Sequence, residues 1–186
     1  MKSLVKLLAS SIIIIFSYYF VNKFQIYLLT GISAQSSENL LASFIYLPHG
    51  IRVIATYIFG LNAFLGLFIA HLITGAEVLS EINSLILTTS FFSTISPFIA
   101  IYIIFRKFDL NLNDIRLVNI IITAFLSAVL NSFFSVTIRF LFNFYKNEEI
   151  FSVQFAKFFI GDVLGVVFLF IIFILFSNLK KIIFKS

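Results

Sequence analysis

The chain has 186 residues, of which 61% are hydrophobic and only 11% are charged, and its formal net charge is +5. Soluble domains are about 45–50% apolar and about 25% charged, so these proportions exclude both a soluble globular domain and a disordered chain. The composition instead predicts a polytopic membrane protein. Its apolar runs are long and continuous, which predicts an all-α fold rather than a β-barrel with alternating apolar and polar residues.

In chain order, the apolar segments predict one integral membrane domain over residues 1–186, a helical bundle of about six transmembrane helices. The stretch 40–73 is too long to cross a core of about 30 Å once. Gly60 predicts a tight turn that divides it. Pro48 lacks an N–H and disfavours a helical conformation at the preceding residue, which predicts a broken helix near Pro48–Gly50. The predicted spans are residues 7–29, 40–59, 62–74, 84–105, 117–143 and 155–178.

The charged residues predict the orientation of these spans. With an even number of crossings, both termini and the loop 106–116 lie on one side of the bilayer. That side then receives most of the basic residues, and the positive-inside rule makes it cytoplasmic. We therefore expect a multi-pass protein of the bacterial cytoplasmic (inner) membrane with both termini in the cytoplasm. Basic residues at span ends are typical of such proteins, so no nucleic acid partner is expected. The basic residues predicted to lie on the cytoplasmic side are Lys2, Lys6, Arg106, Lys107, Arg116, Lys180, Lys181 and Lys185.

Ionisable residues inside the spans are the candidates for function, because such groups are costly in a bilayer and face a cavity or a partner. His49, Arg52, His71 and Asp162 are predicted to bind a ligand in the non-cytoplasmic half. A direct Arg52–Asp162 ion pair is the first expected contact, with Arg139 as the second choice. The alternative is that this pair only fixes the helix register. Asn62 and Asn131 are expected to support the cluster, and Arg139 and Lys157 to reach towards the interface.

Small residues predict where the helices approach each other closely. Gly161 and Gly165 form a G-x-x-x-G pattern, and Ala124, Ala128 and Ser132 recur at every fourth position. Both patterns predict packing within the bundle rather than dimerisation. Asp162 lies inside the glycine pattern, so we expect the same close contact to present its carboxylate. With Pro48, Gly50 and Gly60, the two glycines complete the set of predicted structural motif residues.

The sequence contains no arrangement typical of an enzyme. It has no H-E-x-x-H, no P-loop and no glycine-rich dinucleotide turn. It also has no cysteine, which excludes thiol nucleophiles and thiolate metal sites. We therefore expect no catalytic residues, no metal site, no cofactor and no enzymatic activity.

Two short motifs resemble those of a known family. Pro48-His49-Gly50-Ile51, followed by an apolar stretch to Gly60, and Gly161-Asp162-Val163-Leu164-Gly165 are similar to the P-x-G and G-D-x-x-G segments of the first membrane-associated sensor domain family of bacterial signalling proteins. The resemblance covers residues 40–180 and implies a multi-span sensory module. Members of this family are usually fused to a histidine kinase or a cyclic-di-GMP enzyme. This chain ends at Ser186, so we expect it to act through a cytoplasmic signalling partner.

Two alternatives belong to other classes. One is the substrate-binding subunit of an uptake system, similar to the S-components of energy-coupling-factor transporters, which would pair with a transporter subunit. Ala9, Ser10, Ser11 and Ser17 are a poor approximation to its small-residue docking stripe. The other is a structural membrane anchor or assembly subunit, in which the buried polar residues only fix helix register.

Overall fold

The computed structural model describes residues 2–32, 45–79, 82–108, 117–144 and 150–183. Within these residues the fold is all-helical, which confirms the predicted all-α class. Predictions for residues 40–44, for most of the loop 106–116 and for the side chains of the basic tail lie outside the described residues. The helices are α1 (Lys2–Ile32), α2 (Leu47–Phe59), α3 (Ala63–Leu79), α4 (Ser84–Phe108), α5 (Leu117–Leu141) and α6 (Phe151–Ile183).

Five segments of the described chain are long and apolar enough to cross a membrane. Many large apolar side chains on the outside of the bundle are exposed, including Phe16, Phe20 and Phe125. A helical surface of this kind is suited to a lipid environment rather than to water. The five segments are Leu4–Tyr27, Leu47–Val78, Ser84–Ile104, Asn119–Leu141 and Phe151–Ile172.

The segment Leu47–Val78 does not form one straight helix, because the chain reverses direction at residues 60–62. Gly60 has φ +55° and begins a short 3₁₀ turn, Gly60–Asn62, between α2 and α3. The start of α2 contacts Gln25 of α1, the turn contacts Ser10, and the end of α3 contacts Lys23. Hence α2 runs antiparallel to α1, and α3 runs parallel to it. The predicted turn at Gly60 is confirmed.

The start of α2 lies within the predicted span 40–59. Pro48 is in the first turn of α2, which begins at Leu47 after the non-helical residues 45–46 and continues through Gly50 to Phe59, whereas residues 40–44 of that span lie outside the described residues. Proline suits this position because the first N–H groups of a helix have no intrahelical partner. The backbone N–H of Leu47 donates to Oε1 of Gln25 at 2.8 Å, and that of Tyr46 donates to the carbonyl of Gly161 at 2.8 Å. The motif therefore fixes the beginning of a helix between α1 and α6.

The short helix α2 is the centre of the bundle. It contacts all five other helices, which pack in the order α1, α3, α4, α5, α6 around it. Eight of its residues from Leu47 to Thr56 are buried, including Arg52. Cross-helix contacts between residues 71 and 90, 93 and 135, and 140 and 151 show that α3 to α6 alternate in direction. The start of α1 and the end of α6 therefore lie at the same end, the terminal end; Lys23 and Glu77 lie at the opposite end, the cavity end.

Glycines allow α2 to approach α6 closely, as the G-x-x-x-G pattern predicts. A Cβ atom on Gly165 would overlap the carbonyl of Tyr46, and one on Gly50 would lie 3.1 Å from the carbonyl of Gly165. Gly161 and Asp162 are buried in the same contact. Ala124 and Ala128 on α5 are also buried, and Ala124 packs against Val53 and Val166. The prediction that both small-residue patterns serve packing within the bundle is confirmed.

Candidate ligand-binding cavity

A cavity of about 410 Å³ lies between α1, α3, α4 and α5 at the cavity end of the bundle. Its mouth is marked by Lys23 and Glu77, which form an ion pair at 2.9 Å and are 46% and 36% exposed. Its wall includes Arg52, which is only 1% exposed. The cavity therefore extends from an exposed ion pair to a charged group at the centre of the bundle. Other polar residues of the wall are Asn22, Gln25, Tyr46, His71, Thr74, Thr89, Ser93, Asn131, Ser135 and Arg139.

Arg52 is held by α4 and α5. Its Nη1 donates to the carbonyl of Ser93 and to Oδ1 of Asn131, both at 3.0 Å. The ring of Tyr46 faces the guanidinium, with the ring centroid 5.6 Å from Cζ. Arg52 lies one helical turn after Pro48, so the position at which α2 starts determines how deep the guanidinium lies.

Asp162 is fully buried behind Asn131. The Nδ2 of Asn131 donates to Oδ2 of Asp162 at 2.6 Å, so one amide links the arginine to the carboxylate. The sequence predicted a direct Arg52–Asp162 pair; instead, the structure places Asn131 between them. An amide can do this because it has an acceptor oxygen for the guanidinium and donor hydrogens for the carboxylate. Asn131, expected to support the cluster, is its central residue.

His49 is on the far side of Asp162 from the cavity. Its Nδ1 lies 3.7 Å from Oδ2 of Asp162, and neither ring nitrogen has a hydrogen-bond partner within the described residues. Neither His49 nor Asp162 is part of the cavity wall. Of the four predicted ligand-binding residues, the structure brings Arg52 and His71 to the cavity and places His49 and Asp162 behind it.

His71 and Arg139 line the wall nearer to the cavity end than Arg52 does. The Nδ1 of His71 is 2.9 Å from the hydroxyl oxygen of Ser90, and its ring lies 6.2 Å from that of Tyr18. Arg139 donates from Nη1 to the carbonyl of Ser135 at 3.3 Å, and its Cζ lies 4.7 Å from the centroid of Phe158. Arg139 is thus oriented along the cavity wall.

Four other residues singled out in the sequence lie outside the cavity wall. Asn62 lies in the turn at the terminal end, where its carbonyl accepts a hydrogen bond from Ser10. Lys157 is exposed on α6. Ser10 and Ser11 are buried against α3, where a Cβ on Gly66 would lie 2.8 Å from Cα of Ser11. The two serines are therefore used in packing within the bundle.

Sequence reasoning did not single out Ser93, Ser135, Thr89 or Gln25. Serine and threonine are common in membrane helices, where their hydroxyls bond back to the helix carbonyls, so none of them stands out alone. A signal was present on α5, where residues Asn119, Thr123, Ser127, Asn131 and Ser135 recur at every fourth position and all five are buried. This spacing places them along one ridge of the helix, which faces the interior.

We compared the chain with protein-family models, with curated proteins and with solved structures, and it matches none of them.

Proposed function

We propose that the chain is an integral membrane protein of the bacterial inner membrane that binds a small solute and passes this signal to a cytoplasmic partner. One observation carries the proposal: a cavity of about 410 Å³ with a polar wall reaches the buried Arg52 in a chain of which only 11% is charged. Pockets for small molecules have volumes of about 300–1,000 Å³ and a few convergent polar groups.

The direction of the helices supports a topology of about six crossings, with α2 as a short one. With 13 residues, α2 is about 20 Å long. It runs between the two ends of the bundle rather than lying along its surface. The start of α1, the last turn of α4 and the end of α6 lie at the terminal end, and these are the positions of the basic residues 2, 106–107 and 180–181. The positive-inside rule then makes the terminal end cytoplasmic, and the cavity opens to the other side.

The packing of the two motifs supports a sensory rather than a purely structural role. The Pro48–Ile51 and Gly161–Gly165 motifs are more than 100 positions apart in the sequence, yet Gly50 and Gly165 face each other in the structure. Together they place Arg52 at the cavity and Asp162 behind it. A ligand that contacts Arg52 would act directly on the α2–α6 contact, and α6 leads to the terminal end. This is a physical route from a ligand to a cytoplasmic partner.

The uptake alternative has less support. It would need a stripe of exposed small residues on α1 for docking to a transporter subunit. Ala9 and Ser17 are exposed, but Ser10 and Ser11 between them are buried against Gly66. The alternative of a structural anchor explains the buried polar residues, but it gives no reason for a cavity that reaches them.

Native mass spectrometry of the full chain, purified from its own membranes in mild detergent, tests the proposal. We expect a small-molecule adduct on the wild-type protein that is lost in Arg52→Gln and retained in Lys157→Gln, the control on the exposed face of α6. An adduct that survives Arg52→Gln unchanged would contradict binding in this cavity. Crosslinking from Lys107, Lys180 or Lys181 should recover a kinase or cyclase; recovery of a transporter ATPase would favour uptake.

A further inference from the structure

We propose that the solute is a small organic anion, bound through a carboxylate or phosphate group between Arg52 and Arg139. This inference rests on the proposed function, because it names the class of ligand for the same cavity. The two arginines lie on different helices and both line the wall.

The charges of the cavity wall favour an anion. Four basic residues line it, of which Lys23, Arg52 and Arg139 are cationic at pH 7 and His71 is counted as neutral, and within the described part of the chain Glu77 is its one acidic residue. The Glu77 carboxylate is already engaged, because Oε2 pairs with Lys23 and Oε1 accepts a hydrogen bond from Tyr19, both at 2.9 Å. Below this ion pair, the charged wall residues that the structure describes, Arg52 and Arg139, are both positive. A cleft lined by charges of one sign and bounded by apolar walls concentrates counter-ions. The four basic residues are Lys23, Arg52, His71 and Arg139.

Arg52 supplies a buried positive charge with no carboxylate next to it. Among the described residues, no carboxylate oxygen lies within 4.0 Å of its guanidinium, and its Nε has no hydrogen-bond partner. Asp162 is linked to it only through Asn131 and does not line the cavity. Burial of a charge without a direct counter-charge is costly. An anion from solution could approach Arg52 from the cavity side, where no carboxylate of the described residues lies within 4.0 Å of the guanidinium.

The second arginine is connected to the first through a pair of serines on α4 and α5. Arg52 donates to the carbonyl of Ser93, and Arg139 donates to the carbonyl of Ser135. The hydroxyls of Ser93 and Ser135 lie 3.4 Å apart across the α4–α5 contact. Both guanidiniums are thus anchored to one pair of serines. Guanidinium groups match the geometry of carboxylate and phosphate oxygens and bind them through two parallel hydrogen bonds.

A single introduced thiol can measure this charge preference without knowledge of the natural ligand. The chain has no cysteine, so Ser135→Cys gives the cavity its only thiol. Its rates of modification are measured on the purified full chain with three methanethiosulfonate reagents of similar size: anionic (ethylsulfonate), cationic (ethyltrimethylammonium) and neutral (hydroxyethyl). Phe142→Cys, at an exposed position outside the cavity wall, gives the intrinsic ratio of the three rates.

We expect the ratio of anionic to cationic modification rates to be about tenfold higher at Ser135→Cys than at Phe142→Cys, because a positively charged cavity attracts the anionic reagent and repels the cationic one. Adding Arg139→Gln or Arg52→Gln should lower the ratio towards that of Phe142→Cys. Adding Arg52→Lys, which keeps the charge, or Lys157→Gln, which is outside the cavity, should leave most of the preference. Succinate and inorganic phosphate should slow the modification, whereas the neutral succinamide should not. The anion that slows the modification more identifies which group, carboxylate or phosphate, the cavity recognises.

The outcomes separate this inference from the proposed function. If the neutral reagent modifies Ser135→Cys but the anionic reagent has no advantage, the anion is excluded and an accessible cavity remains. If succinamide slows the modification as much as succinate does, an anionic ligand is likewise excluded. If no reagent modifies Ser135→Cys while Phe142→Cys reacts, the cavity is closed to solutes and the proposed function also fails.

Discussion

Arg52 and Asp162 carry opposite charges near the centre of the bundle but do not touch, because the side-chain amide of Asn131 lies between them. The amide accepts a hydrogen bond from the arginine at 3.0 Å and donates one to the carboxylate at 2.6 Å. This arrangement leaves the guanidinium on the cavity wall, whereas the Asp162 carboxylate is not part of that wall. In a direct ion pair, the Asp162 carboxylate would occupy the guanidinium in place of an anion from the cavity.

Replacement of Asn131 by leucine should strongly destabilise the protein. Leucine has a similar size but neither accepts nor donates a hydrogen bond, so both Arg52 and Asp162 would lose their shared partner. Breaking a buried charged network costs about 3–5 kcal/mol. Thermal unfolding of the full chain in detergent measures the loss, with Thr88→Val on the outer part of α4 as the control. Equal stability of the two variants would show that the bridge contributes little.

Replacement of Gly165 by alanine should move the start of α2 away from α6. The added Cβ would meet the carbonyl of Tyr46, which is backbone and cannot rotate away. Overpacking of this kind costs about 1–3 kcal/mol. Gly75→Ala is a matched control, because its Cβ would meet only the side chain of Ile86 at 3.0 Å. A Gly75→Ala variant that unfolds at a lower temperature than Gly165→Ala would contradict the account.

Gly60 should be sensitive to substitution for a different reason. Its φ is +55° and a Cβ there would have no neighbour within 4 Å, so the cost is conformational rather than steric. Strain of this kind costs about 1–3 kcal/mol. Gly60→Ala and Gly60→Leu should therefore lower the unfolding temperature by similar amounts, whereas Gly165→Leu should be far worse than Gly165→Ala. A large difference between the two Gly60 variants would mean that the turn is packed against other residues.

The Lys23–Glu77 pair at the mouth should contribute little to stability. Its side chains are 46% and 36% exposed, and exposed ion pairs contribute about 0–1 kcal/mol. Glu77→Gln should change the unfolding temperature only slightly, and less at high salt. A loss as large as that of Asn131→Leu would show that the mouth is a structural element of the bundle.

Hydropathy and charge predicted the helices well, because the length and polarity of each segment decide where it lies. Gly60 was predictable because only a turn can divide an apolar run too long for one crossing. Pro48 was harder, since proline is compatible with a break inside a helix and with the first turn of one. The contacts that fix the start of α2 at Leu47 come from Gln25 of α1 and Gly161 of α6, which the sequence alone does not reveal.

The polar cluster was predictable in composition but not in geometry. Arg52, His71 and Asp162 were identifiable because ionisable residues are rare in this chain. Which of them face a cavity depends on the rotation and depth of each helix, and these are set by packing contacts such as Gly50 against Gly165. A rotation of one residue, about 100° on a helix, would turn His49 from Asp162 towards another neighbour.

The side from which the cavity is reached tests the central claim most directly. A Thr89→Cys variant places a thiol in the cavity wall, and a membrane-impermeant thiol reagent is added to sealed vesicles of either orientation. A protease-sensitive tag after Ser186 reports the side of the terminal end. We predict that the reagent modifies the thiol only from the side opposite to that on which protease removes the tag. Modification from the side of the tag, or from neither side, would contradict a solute-binding cavity open to the exterior.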